Sequence, residues 1–204
     1  MLKLEQLAEL VEKNRAAASA RVKEFSVGGR KFNFNSQPAI MGVANLSADS
    51  WYRESVCLSA ESAIQRGKIL AAQGADIVDI GAESTLANAA RANDESQKSK
   101  LIPVIKKLRA EKILVSVETY SSKVARAALE AGANVLNLTG NANSKEIFKM
   151  AAAHDAAVII CFVQGKHVRE VGEFDFTTDP IETMRDSFTK TLEIATRTGV
   201  DNLF

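Results

Sequence analysis

The segment Gly74-Ala75-Asp76-Ile77-Val78-Asp79-Ile80 is echoed by Gly132-Ala133-Asn134-Val135-Leu136-Asn137-Leu138, and a third copy opens at Gly199-Val200-Asp201-Asn202-Leu203-Phe204. Each copy places a glycine where a helix ends, a position at which a left-handed residue costs little. The glycine leads into a run that is apolar on both faces and finishes in a polar side chain. A surface strand would show one of those faces to water. The run must therefore be covered on both sides, and repeating it between helices builds a parallel sheet with right-handed crossovers. Phe204 falls at the offset occupied by Asp79 and Asn137 in the earlier copies, so the sequence ends as a sixth strand gets under way.

The same rhythm runs through the rest of the chain. It predicts strands at Ala39–Ala44, Asp76–Ile80, Ile113–Val117, Asn134–Leu138 and Ala156–Val163, with helices near 59–73, 94–110, 121–131, 143–153 and 180–197. Asp179-Pro180-Ile181-Glu182 reads as an N-cap, an N1 proline and a capping-box glutamate, and Ser121 and Asn143 read as N-caps. Leu4, Leu7 and Val11 recur at helical spacing and predict an amphipathic helix over 3–23, read first as a packing or capping helix and second as a partner-binding one. Phe25 to Phe34 alternates around Val27-Gly28-Gly29-Arg30, a hairpin signal. The chain thus divides into an N-terminal helix (1–24) and a domain over 25–204. Eight βα units need about 250 residues, and 204 leave room for fewer. A five-stranded flavodoxin-like sheet and an incomplete barrel both satisfy the pattern, and periodicity alone does not choose.

Composition narrows the function classes. Lysine plus arginine number 26 against 25 acidic residues, so no overall field draws the chain to nucleic acid or a charged membrane. Cys57 and Cys161 lie too far apart in sequence for a CxxC site, and His154 and His167 lack zinc-site spacing. No apolar run approaches the length of a membrane span, and the glutamates of the first fifteen residues break any signal-peptide pattern. A soluble, cytoplasmic α/β protein is expected.

Ligands of either parallel architecture bind at the carboxyl ends of the strands. Polar side chains gather there: Asn45 after the first strand, Asp79 with Glu83, Ser84 and Thr85 after the second, Glu118 after the third, Asn137 after the fourth and Gln164 after the fifth. One such residue reads as a cap or turn; five strand ends in a row read as a polar pocket. Carboxylates and amides together suit a flat heterocycle with adjacent N–H donors, since a carboxylate accepts two parallel hydrogen bonds. No GxxxxGK[ST] or GxGxxG motif occurs, and Ser50 with either histidine lacks a nucleophile elbow.

These residues resemble a family. Ile40-Met41-Gly42-Val43-Ala44-Asn45-Leu46-Ser47-Ala48-Asp49-Ser50-Trp51 is similar to the MGILNVTPDSF opening of dihydropteroate synthases. Residues 74–85 are similar to their GADIIDIGGEST, Val115 to Tyr120 to ISVDTY, and Val163-Gln164-Gly165 to the end of MHMQG. The resemblance covers about residues 25–204 and implies a TIM barrel of the pterin-binding type, here incomplete. The implied reaction joins 4-aminobenzoate to a dihydropterin pyrophosphate, a step of folate biosynthesis. By the same resemblance Asn45 binds the leaving pyrophosphate, directly or through Mg2+. Glu118 and Asn137 hold the pterin edge over Asp79, Gln164 joins the lining, and Ser84 and Thr85 belong to the loop that meets 4-aminobenzoate.

The departures imply as much. Leu86 stands where the family carries the arginine of STRPG, Ala48 where it carries a proline, and Glu118 where it carries an aspartate. Leu138 and Phe162 replace a further aspartate and a histidine. The family's DPG segment and later basic residues have no counterpart before Phe204. The expectation is therefore that the isolated chain does not form dihydropteroate, and the alternative is a non-catalytic relative that pairs with a complete synthase. A homo-oligomer is the other partner considered. For the fold, the expected strand order is sequential, with both end strands unpaired.

Overall fold

The computed structural model describes residues 3–141, 143–171 and 179–204. Strands β3 (Met41–Asn45), β4 (Ile77–Gly81), β5 (Val115–Thr119), β6 (Val135–Leu138) and β7 (Ala157–Ile160) form one parallel sheet in sequence order, β3-β4-β5-β6-β7. Sequential order is that of a barrel wall. A flavodoxin-like sheet would have placed its second strand outside the first. The fold class is therefore the expected incomplete TIM barrel.

Helices α3 (Ala60–Ala72), α4 (Asp94–Ala110), α5 (Ser122–Glu130), α6 (Ser144–Ala153) and α7 (Pro180–Arg197) lie between or after the strands. Ser121 caps α5, its hydroxyl accepting from the Val124 amide. Two other caps differ from expectation. Asn143 is half-way to helical (φ −121°, ψ 21°) and makes no side-chain cap bond, because an N-cap needs extended backbone to face the first turn. Asp179 caps α7 through the Ile181 amide, but Glu182 reaches Arg185 at 3.6 Å rather than closing a capping box.

Alternation along each strand splits it between two cores. Val78, Ile80, Val115, Val117, Leu136, Leu138 and Val158 face the helices and pack with Leu101, Val104, Ile105, Leu108, Ile147 and Phe148. Each such fully buried side chain contributes about 1.5–3 kcal/mol. The opposite face holds Ile77, Leu114, Val135 and Ala157 in a second cluster with Val27 and Phe32 of the hairpin β1 (Phe25–Val27) and β2 (Arg30–Phe32). Phe204 enters that cluster, its ring 5.0 Å from Phe25 and 5.5 Å from Phe32. The hairpin closes the amino end of the barrel interior. Gly28 makes this approach possible: its φ is +55°, and a Cβ there would meet Leu114 Cδ2 at 2.6 Å and Asn134 Nδ2 at 2.7 Å.

The end strands are not bare as expected. Val158 bridges Leu203, and the Phe204 amide donates to the Val158 carbonyl at 2.9 Å, so residues 202–204 begin a sixth strand. At the other edge Val56 bridges Asn45, and the Cys57 amide donates to the Asn45 carbonyl at 2.7 Å. These bridges shorten the unpaired ladder that invites association.

The N-terminal segment is a second correction. In place of one helix over 3–23 there are α1 (Leu4–Lys13) and α2 (Arg15–Ala18), parted at Asn14, whose side-chain amide donates to the Leu10 carbonyl and competes with the helix. Neither helix buries a residue, and Leu4 remains 84% exposed, so the packing reading fails. After β7 the backbone leaves the sheet at Cys161, short of Val163, and turns through a small hairpin, β8 (Gly165–His167) with β9 (Glu170–Val171). Among the described residues no helix is long and apolar enough to cross a membrane.

Candidate functional site

Strand register builds the site. Asn45 pairs with Gly81, Gly81 with Glu118, and Glu118 with Asn137, which puts the four in one row across the carboxyl end of the sheet. The row below runs Val43, Asp79, Ser116, Val135 on the same face. Beneath it lies the apolar plug of the hairpin. The interior thus passes from phenylalanines to a polar mouth over a few layers of side chains.

Gly81 leaves the space between its neighbours. A methyl group on it would lie 2.8 Å from Glu118 Oε2 and 3.2 Å from Asn45 Oδ1. Asn137 Nδ2 donates to Asp79 Oδ2 at 3.2 Å, and Thr139 Oγ1 donates to Glu118 Oε1 at 2.8 Å. Cys161 Sγ stands 3.5 Å from Asn137 Oδ1. Asp79 Oδ1 is buried without a hydrogen-bond partner. Burial pushes the Asp79 carboxyl above its ordinary range, opposed by the nearby Ser116 and Asn137 side chains. Burial likewise pushes Glu118 up to about 7, against the bond from Thr139, and the negative charges of Asp79 and Glu83 add to the rise. The Cys161 thiol is also raised, first by burial and then by Glu118 and Asp79. The site is therefore rich in acceptors that lack donors.

Asn45 is oriented unambiguously. Ser55 Oγ donates to the Tyr52 carbonyl at 2.6 Å, so it must accept from Asn45 Nδ2 at 2.8 Å; Ser50 Oγ lies 3.0 Å from the same nitrogen. The amide oxygen is left to face the row. Such an oxygen suits Mg2+, a hard cation that takes few protein ligands and completes its shell with water and phosphate oxygens. Among the described residues no group of three or more His, Cys, Asp or Glu is placed to hold a metal.

The remaining expected residues sit apart from the row. Ser84 is buried and bridges two loops: its hydroxyl donates to the Asp49 carbonyl at 3.0 Å and accepts from the Leu86 amide at 3.2 Å. Thr85 follows it, half-buried, on the same loop. Gln164 lies at the turn into β8, and its Oε1 is buried without a partner.

A second cluster was not foreseen. Arg169, with its side chain 2% exposed, places Nη1 3.3 Å from Glu83 Oε1, 3.0 Å from the Ser84 carbonyl and 3.3 Å from the Ala90 carbonyl; Nη2 also donates to the Ala89 carbonyl. Glu83 further accepts from the Tyr120 hydroxyl at 2.6 Å and the Ala92 amide at 3.2 Å. Tyr120 stacks on His167 with ring centroids 4.2 Å apart. The β8–β9 hairpin is thereby tied to the loop after β4. Tyr120 and Glu83 lie inside the motif-like segments, which was the available signal; Arg169 lies outside them and had none. Thr139 and Ser116 were also missed, although their places on the inward face follow from alternation with Asn137 and Glu118.

Comparison with known proteins places the chain in a family and supports the fold. The sequence pattern of the family described as pterin binding enzyme matches residues 41–203. The dihydropteroate synthase of Synechocystis sp. is 32% identical over 176 residues, covering 85% of this chain and 61% of that protein. The crystal structure of Burkholderia cenocepacia dihydropteroate synthase complexed with 7,8-dihydropteroate superposes with a TM-score of 0.76 at 24% identity, covering 91% of this chain and 63% of the other, which bears on the fold alone. The Xanthomonas albilineans enzyme solved with 4-aminobenzoic acid gives a TM-score of 0.73 at 27% identity, covering 88% and 64%. The chain spans less than two thirds of the length of each of these relatives.

Proposed function

The chain belongs to the pterin-binding enzyme family, and on that premise we propose that it holds a dihydropterin at the polar row and serves its condensation with 4-aminobenzoate in folate biosynthesis. The observation that carries this reading is the orphaned acceptor. Asp79 Oδ1 is buried and unpartnered beside the Asn137 amide, an arrangement whose desolvation cost a flat ligand with adjacent N–H groups recovers. Asp79 and Asn137 then fix the heterocycle's edge, and Glu118 closes over it from the next strand. Gln164 Oε1 is a second waiting acceptor toward the rim.

The reaction is a displacement. The amine nitrogen bonds to the methylene carbon, the carbon–oxygen bond breaks, the pair goes with pyrophosphate, and the proton the nitrogen then loses goes to water. It asks little proton transfer of the protein and much positioning and charge stabilisation. Asn45 Oδ1 would hold Mg2+, which when bound offsets charge on the leaving group. Ser84 and Thr85 position the loop that receives 4-aminobenzoate, Ser84 through its tie to Asp49. A cytoplasmic location accords with folate chemistry and is part of the proposal.

A second reading, a non-catalytic relative that pairs with a complete synthase or with itself, is favoured by Leu86, which cannot meet an anion. Pyrophosphate release, assayed with dihydropterin pyrophosphate and Mg2+, separates the two. Release that requires 4-aminobenzoate supports the condensation and contradicts the expectation from Leu86 that the isolated chain forms no dihydropteroate. Pterin binding without release favours the second reading, and absence of pterin binding overturns the first.

A further inference from the structure

Leu86 puts no cation at its own position and Arg91, farther along the loop after β4, pairs with Glu170 at 3.6 Å, yet the structure puts another cation opposite Leu86. Arg53 and Leu86 line a single cavity of about 460 Å³ between the loops that follow β3 and β4. The two loops are held at fixed spacing. Ser84 Oγ donates to the Asp49 carbonyl across the gap, and Arg169 binds the carbonyls of Ala89 and Ala90 on the far wall. Arg53 Nη1 donates to the Ala48 carbonyl at 2.7 Å, its one hydrogen bond among the described residues. The rest of the guanidinium is left for a ligand. Trp51 lines the same cavity and is 74% exposed, an aromatic face with nothing over it.

We propose that Arg53 is the anion-binding residue of this chain and receives the carboxylate of an aromatic acid in the cavity it shares with Trp51 and Leu86. The assignment rests on the pterin-condensing reading above and adds to it the residue that stands in for the missing arginine. The chemistry of the walls selects the ligand. Trp51 and Leu86 present flat and apolar surface, and Arg53 offers planar donors that match a carboxylate. Asp49 also lines the cavity, and its carboxylate repels a multiply charged anion more than a singly charged one. An aromatic monocarboxylate therefore fits better than pyrophosphate.

Calorimetric titration of 4-aminobenzoate into the full chain, with and without a dihydropterin present, tests this. Trp51 is the single tryptophan, so its emission reports whether the ligand enters this cavity. Arg53→Gln removes the charge and shortens the side chain while keeping it polar, and Arg53→Lys keeps the charge without the planar fork. Arg53→Gln is expected to weaken 4-aminobenzoate about tenfold, as loss of a charged hydrogen-bond partner does. Arg53→Lys should weaken it less, and aniline, which lacks the carboxylate, should bind both forms alike. Adding Leu86→Arg to Arg53→Gln should recover affinity, because the cation returns from the other wall.

Equal 4-aminobenzoate affinity in wild type and Arg53→Gln overturns the assignment, as does binding that leaves Trp51 emission unchanged. Inorganic pyrophosphate that binds in an Arg53-dependent way and displaces 4-aminobenzoate overturns the choice of a carboxylate. The pterin reading is measured separately in the same titrations. A chain that binds dihydropterin yet shows no Arg53 effect loses this proposal alone, and an Arg53 effect without dihydropterin binding upholds it while removing the pterin.

Discussion

Glu118 carries the consequence most open to measurement at the scale of one residue. Its carboxyl sits between Gly81 and Asn137 in the strand row, takes a bond from Thr139, and is pushed up to about 7 chiefly by burial. The folded value lies above the ordinary 4.5, so between those pH values the folded chain keeps a proton that the unfolded chain has lost. Stability therefore falls as pH rises from about 4.5 toward about 7. The residue is partly exposed, which discounts the size to on the order of 1–2 kcal/mol. Urea midpoints from about pH 5 to about pH 8 should drop in the wild type and drop less in Glu118→Gln. Asp79, shifted in the same direction, accounts for what slope remains. Identical slopes in the two proteins would contradict the placement of Glu118. The family's aspartate at this position is one methylene shorter, and the longer side chain is accommodated because Gly81 has no Cβ to meet it.

At the scale of elements, the strands were readable and the tie between loops was not. A run apolar on both faces leaves a local trace in sequence, so β3 to β7 appear near their expected places. Their order needed the repeat and the family resemblance as well. Periodicity in 3–23 revealed helix but could not say whether anything covers it; α1 stands free of the core. The Arg169–Glu83 pair joins residues 86 apart in sequence and leaves no periodic mark. Its consequence can be tested. Arg169→Leu leaves Glu83 buried with less compensation and is expected to cost about 3–5 kcal/mol, the usual penalty for breaking one side of a buried pair. Amides of residues 84–92 should exchange faster with solvent water. Glu83→Gln combined with Arg169→Leu should recover part of the stability. Unchanged exchange in that loop would show that the hairpin does not hold it.

At the scale of the whole molecule, one sheet separates two environments. Its outer face and the helices form the large core, while its inner face grades from the phenylalanine plug to the row of Asn45, Glu118 and Asn137. The candidate site was readable as a set of strand ends, since five of them deliver polar side chains. The structure adds how they are arranged: Asp79 meets Asn137, and Glu118 and Asn45 approach the same space over Gly81 from either side. Ser84 and Thr85 sit apart from the row on the loop after β4, where Ser84 ties to Asp49, and Arg53, which no motif marked, lines a cavity with Leu86 of that loop. The central claim is that a pterin edge docks on Asp79 and Asn137. Calorimetric titration of a dihydropterin into the wild type and Asn137→Ala tests it most directly. The account predicts saturable binding by the wild type and a loss of roughly tenfold or more in the variant, because a ligand group and Asp79 are both left without a partner. Equal affinity of the two proteins would contradict it.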